Sequence, residues 1–194
     1  LDWVCSITNT SIGEALSNVE EYFSNTNDLV NSSFFLPYLS GERTPHNDPY
    51  IRGSFHSMKT TTNSTNLQYA VIEGISFGIL DGVNSILKVN NNFEKIFMVG
   101  GGSKSKFWIE LLASLLNRNL SVCDQSEFGA ALGVARLAMY IDKKNQSNAS
   151  IIKEINISKT FNPNQDKIDI LLKRYNLWKD LYSSNKKIAS NLLA

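Results

Sequence analysis

Met98-Val99-Gly100-Gly101-Gly102-Ser103-Lys104-Ser105-Lys106-Phe107-Trp108 is the stretch around which the chain is organised. The apolar run Ile96–Val99 enters it, and the helix-like run Phe107–Leu116 leaves it. Strand, Gly-rich turn and helix in that order present free backbone N–H groups and the positive end of a helix dipole to an anion. Without a Cβ, a glycine lets a phosphate or a flat ring come close to the backbone. The competing reading is a βα turn that uses glycine only to turn. A Walker A loop is excluded, because G-x-x-x-x-G-K-[ST] does not occur. The dinucleotide fingerprint G-x-G-x-x-G would need glycine in place of Ser105.

The chain has 194 residues, enough for one domain with a core, and 42% of them are hydrophobic, as in globular proteins. A net charge of +1 argues against nucleic acid and anionic membrane as partners. No uninterrupted apolar run reaches the ~20 residues of a membrane span, and no signal peptide opens the chain. Cys5 and Cys123 stand far apart without metal-ligand spacing and read as reduced. The expected location is cytoplasmic.

Leu1-Asp2-Trp3-Val4 reads as the middle of a helix ending near Thr8, so a piece of a longer protein is expected. Ser11 and Glu14 form a capping box that opens a second helix. Ser33–Leu39 reads as a strand, Ser40–Arg52 as a loop, and Gly53–Met58 as a second short strand. Thr65-Asn66-Leu67-Gln68 reads as the capping box of the longest helix, running to about Val89. Its apolar stripe is Leu67, Val71, Ile75, Ile79, Val83 and Ile86. Gly74, Gly78 and Gly82 recur four apart on another stripe. Each costs about 1 kcal/mol against alanine, so something packs there at backbone distance, a neighbouring helix or a ligand.

After the glycine turn and its helix come a short strand, Leu120–Cys123, and a helix, Glu127–Tyr140, whose small residues would let it lie close to a sheet. Residues 142–163 read as an irregular linker to a terminal helix, Gln165–Leu193. The alternation makes the class α/β, helix-rich around a small sheet.

Gly41-Glu42-Arg43-Thr44-Pro45-His46-Asn47-Asp48-Pro49 packs the most functional groups into the shortest space. Its arginine could clamp a phosphate. The alternative is a solvated loop with an internal Arg43–Asp48 pair, worth about 0–1 kcal/mol. No nucleophile–base constellation is present around His46 or His56, and no metal-ligand set.

Phe35 to Pro49 resembles the corresponding motif of the FGGY family of carbohydrate kinases, in particular its xylulose-phosphorylating members. Gly53–Met58 followed by Asn66–Glu73 resembles the family's C-terminal signature, with Ser57 where the pattern usually has glycine. Val99–Trp108 resembles its adenosine-binding turn, and Gly129–Ala135 the small-residue helix after it. The resemblance runs from residue 1 to about 140.

It implies a ribonuclease H-like (actin-like ATPase) domain, the C-terminal, nucleotide-binding half of such a kinase, incomplete at its N-terminus. The family's general-base Asp would then lie in a missing N-terminal domain, so no catalytic residue is expected here and the isolated chain is expected to be inactive. The whole protein would transfer the γ-phosphoryl of ATP, with Mg2+, to D-xylulose. Within this chain Gly100, Gly101, Gly102 and Ser103 would lie under the adenosine. Lys106 would reach the base or ribose, although this position is Asn in some related kinases. Asp2 would add a further nucleotide contact, and Arg43, Thr44 and Asp48 would line the cleft. Other family substrates (gluconate, glycerol) and a non-catalytic nucleotide- or partner-binding module are the alternatives. Loss of the first strands would leave an open sheet edge, so a homodimer is expected.

Overall fold

A computed structural model of the chain describes residues 1–25, 29, 32–89, 95–124, 129–142 and 156–192. Its helices are α1 (Asp2–Thr8), α2 (Ile12–Asn25), α3 (Ser64–Leu87), α4 (Lys106–Leu116), α5 (Gly129–Asp142) and α6 (Gln165–Leu192). Its strands are β1 (Phe34–Leu36), β2 (Ser54–His56), β3 (Ile96–Met98), β4 (Leu120–Cys123) and β5 (Ile157–Phe161). The strands form two sheets. β1 pairs antiparallel with β2, while β3 pairs parallel with β4 and β4 antiparallel with β5.

Local chemistry sets most element ends. Asn9 and Asn117 follow α1 and α4 in the left-handed region, at φ 53° and 48°, a conformation asparagine tolerates. The Ser11–Glu14 box forms: Ser11 N–H donates to Glu14 Oε2 at 2.7 Å, and Glu14 N–H to Ser11 Oγ at 3.2 Å. The box that opens α3 is Asn63 with Asn66, reciprocal bonds of 3.0 Å, two residues before the expected Thr65. Asparagine is the stronger N-cap of the two, and Asn63 finds a reciprocal partner in Asn66.

β1 is the pivot of the core. Phe35 packs with Val4, Cys5, Ala15, Ala70 and Val71. Leu36 points the other way, into a larger cluster with Tyr69, Ile72, Phe77, Leu111, Leu115, Leu171 and Trp178. A third cluster, Ile109, Leu112, Ala113, Leu120 and Phe161, joins α4 to β4 and β5.

Several sequence expectations are corrected. α6, with 28 residues, is longer than α3, with 24. In α3 the residues exposed by 2% or less include Gln68, Tyr69, Ala70, Val71, Ile72, Glu73, Ser76 and Phe77, so Val71 of the expected stripe is core whereas Ile79 and Ile86 are exposed. The helix is apolar around much of its circumference, so the neighbours choose its faces. By length and composition α3 could cross a membrane, although no apolar run had suggested it. In this fold its first half is core. What meets its glycines is a strand rather than a helix. A Cβ on Gly74 would lie 2.2 Å from the Phe35 carbonyl oxygen, on Gly78 it would just reach Pro37, and on Gly82 it would meet nothing. The small residues of α5 do not bury it against a sheet: Val134, Leu137 and Met139 are exposed, and at its start a Cβ on Gly129 would stand 3.3 Å from Val99. The linker expected over 142–163 contains β5, registered Leu120 to Phe161 and Val122 to Lys159. β5 is exposed along its length except at Phe161, so it shows no buried alternation. Residues 143–155 of that linker lie outside the described residues, as does most of the polar turn expected over 25–32.

Candidate functional site

The glycine turn is built by a change of backbone hand. Gly100 adopts φ 82°, ψ −171°, a region that L side chains avoid. A single 3-10 turn, Gly101–Lys104, follows, and α4 begins at Lys106. Ser103 is buried, and its hydroxyl donates to the Gly100 carbonyl at 2.7 Å, closing the turn from inside. Ser105 caps α4, its Oγ accepting from Trp108 N–H at 3.2 Å. Trp108 Nε1–H donates to Ser76 Oγ at 2.9 Å, fastening the start of α4 to α3.

The three glycines are not equivalent. A Cβ on Gly102 would meet Met98 at 3.0 Å and Trp108 at 3.4 Å, whereas on Gly100 or Gly101 it would meet nothing. The N–H groups of Gly101 and Gly102 open the 3-10 turn and have no carbonyl of that turn to receive them. N–H groups at the start of such a turn, beside unfilled space, would suit the phosphates or sugar of a nucleotide. Lys106 stands one residue on, exposed and 3.7 Å from Glu110, a surface pair that holds it weakly. Asp2 is not brought into this group: it lies exposed in the first turn of α1, which packs on α2 and α3. Among the described residues no group of three or more His, Cys, Asp or Glu side chains could cage a cation. A cavity of about 460 Å3 between α4 and the 159–164 segment includes none of the turn's glycines.

The second group is the 40–52 loop, tied at its base. Glu42 and Asp48 exchange backbone hydrogen bonds of 2.8 and 2.7 Å. Glu42 Oε2 accepts from His46 N–H at 2.8 Å. Asp48, one of the expected cleft residues, is 8% exposed and faces inward. Its Oδ1 accepts from the N–H groups of Tyr50 and Ile51 at 3.0 and 3.1 Å. Its Oδ2 accepts from the Tyr182 hydroxyl at 2.9 Å and lies 3.5 Å from Lys186 Nζ. The pair that forms is thus Asp48–Lys186 rather than Asp48–Arg43. Arg43 and Thr44 are exposed, Thr44 preceding a cis proline.

Desolvation would raise the Asp48 carboxyl, but the hydrogen bonds from Tyr50, Tyr182 and Ile51, with Lys186 beyond them, hold it below its usual value. A depressed carboxyl contributes stability above its ordinary pKa of 3.8 and loses it as pH falls through the folded value. The stability gap between the wild type and Asp48→Asn is therefore expected to be widest near neutral pH and to close in acid. Thermal melts of both proteins at about pH 7 and about pH 3 check this. A gap that persists unchanged in acid would show that the charge contributes nothing.

Sequence reasoning missed α6 as the partner of this loop. Tyr182, Asn185 and Lys186 stand more than a hundred residues away from it, and no local spacing joins them.

The elements together define a mixed α/β domain with a glycine-rich βα turn at the start of α4. Residues 1–141 match the C-terminal domain of the FGGY family of carbohydrate kinases, and the chain belongs to that family. Its solved members share the actin-like ATPase fold. The xylulose kinase of Staphylococcus epidermidis is 32% identical over 165 residues, covering 84% of this chain and 33% of that protein. A crystal structure described as a xyloylose kinase from Brucella ovis matches with a TM-score of 0.83 at 30% identity, over 96% of this chain and 38% of that one. The gluconate kinase of Lactobacillus acidophilus matches with a TM-score of 0.70 at 27% identity, over 90% and 34%. The chain thus spans about a third of the length of the relatives it matches.

Proposed function

We propose that this chain supplies the nucleotide-binding side of a sugar kinase that phosphorylates D-xylulose with MgATP. The observation that carries the reading is the glycine turn. Gly100 and Gly101 leave unfilled space at the opening of the 3-10 turn, in a chain about 30% identical to proteins described as xylulose kinases.

In this reading Gly100 to Ser103 support the adenosine, and Lys106 swings from Glu110 toward the base or ribose. Arg43 and Thr44 face the cleft from the loop, while Asp48 shapes that wall from beneath. A sugar hydroxyl oxygen forms its bond to the γ-phosphorus as the bond to the β–γ bridging oxygen breaks, and ADP leaves. The hydroxyl proton passes to a base outside this chain. Positioning and charge neutralisation supply most of the rate.

Gly101 separates binding from folding. Because a Cβ there meets no atom within 4 Å, Gly101→Val is expected to leave the melting temperature within a few degrees while abolishing saturable MgADP binding in a calorimetric titration. Unchanged nucleotide affinity in that variant would remove the nucleotide from the turn. The substrate is tested by coupled ADP release from the full-length kinase offered xylulose, gluconate and glycerol in turn. Preferred turnover of gluconate, toward which the Lactobacillus acidophilus likeness points, would transfer the assignment to that sugar acid.

A further inference from the structure

The polar groups of the 41–52 loop divide into two sets. Glu42, His46 and Asp48 turn inward and are bonded. Arg43 is exposed and, among the described residues, makes no hydrogen bond or ion pair. The inward set is held from α6, which lies beyond the stretch that matches the family.

Tyr182 is the centre of that attachment. Its hydroxyl donates to Asp48 Oδ2 at 2.9 Å and accepts from Lys186 Nζ at 3.3 Å. Its ring stacks on the His46 imidazole, centroids 3.7 Å apart and planes 9° from parallel. On its other side His46 lies 3.9 Å from Asp81 of α3. One turn of helix along, Asn185 donates to the Arg52 carbonyl at 3.2 Å and to Ser54 Oγ, pinning the end of the loop where β2 starts. The loop's base is therefore clamped between α6 and α3, while Arg43 projects from it free.

We propose that Tyr182 is a positioning residue, holding the loop so that Arg43 meets the phosphoryl group in transfer. This rests on the kinase reading above. An unpaired guanidinium on a fixed support binds phosphate oxygens in two-pronged fashion without first breaking an internal bond. A support loosened by a fraction of an ångström forfeits that geometry.

The test uses the full-length kinase. Tyr182→Phe keeps the stack on His46 and deletes the donor to Asp48. Its kcat is expected to fall about tenfold, with the KM for sugar unchanged within about twofold. Arg43→Gln is expected to lose about a hundredfold in kcat. The double variant should turn over no more slowly than Arg43→Gln alone, because Tyr182 acts through Arg43. Losses that multiply, or full kcat in Tyr182→Phe, would overturn the proposal.

Hydrogen exchange over residues 40–53 reads the clamp without turnover. Faster exchange there in Tyr182→Phe, with α3 unchanged, is expected, and unchanged exchange sinks the clamp. A wild-type enzyme that phosphorylates no sugar would defeat the kinase reading and with it the role of Arg43. The exchange result would still decide whether Tyr182 holds the loop.

Discussion

Arg174→Met is expected to destabilise the domain by about 3–5 kcal/mol, the loss seen when one partner of a buried ion pair is removed. Arg174 is 4% exposed and Glu73 is 1% exposed, in the middle of α6 and α3. The guanidinium forms two hydrogen bonds of 2.6 Å to the two Glu73 oxygens. It also donates to the carbonyls of Ser32 and Ser33, at 3.2 and 3.4 Å, and lies over the Phe34 ring. Tyr69 completes the carboxylate's shell at 3.2 Å. Methionine fills much of the volume but leaves Glu73 as a buried charge without its counterion, and removes the Arg174 donors to the Ser32 and Ser33 carbonyls.

Burial pushes the Glu73 carboxyl upward, against the pull of the Arg174 guanidinium, so losing Arg174 removes the main group that favours the charged form. Denaturant melts give the number. A loss under about 1 kcal/mol would mean that the pair is dispensable. Adding Glu73→Leu to Arg174→Met is expected to recover part of the loss, since the double variant buries no lone charge.

Gly74→Ala is the second large effect, expected to cost about 3 kcal/mol or somewhat more through overpacking. The new methyl carbon would stand 2.2 Å from the Phe35 carbonyl oxygen, a backbone atom that cannot swing aside. The same carbonyl accepts the Trp178 Nε1–H at 2.8 Å, so moving β1 away from α3 also disturbs its bond to α6. Two residues on the same helix supply internal controls. Gly78→Ala meets only Pro37 at 3.9 Å, and Gly82→Ala meets nothing. Both are expected to be neutral or to stabilise by up to about 1 kcal/mol through helix propensity. Equal losses at all three positions would contradict the packing described for β1.

Most of the element order was legible in the chain because the signals are local. A capping serine three residues from its glutamate and an apolar run entering a glycine turn each act within a few residues. Even the misplaced α3 cap was an error of two positions, between neighbouring polar residues of which asparagine is the stronger cap. The turn at Gly100 to Ser103 was legible for the same reason, since a strand-to-helix reversal needs φ above zero at a defined place.

The tertiary structure decided what each element meets. Gly74, Gly78 and Gly82 announced a close approach by their spacing alone. Only the path of β1 showed that a strand carbonyl fills the space at the first, and that the third faces nothing. Asp48 offered the same carboxylate to a cleft or to an anchor. Tyr182, 134 positions further along, turned it inward. Glu73 found its counterion 101 positions away. β5 carries no inward-facing alternation and became a strand because β4 offered it an edge. Periodicity and capping report forces within one or two helical turns. The pairing of distant charges, edges and rings depends on which surfaces the packed chain brings together, and no spacing in the sequence records it.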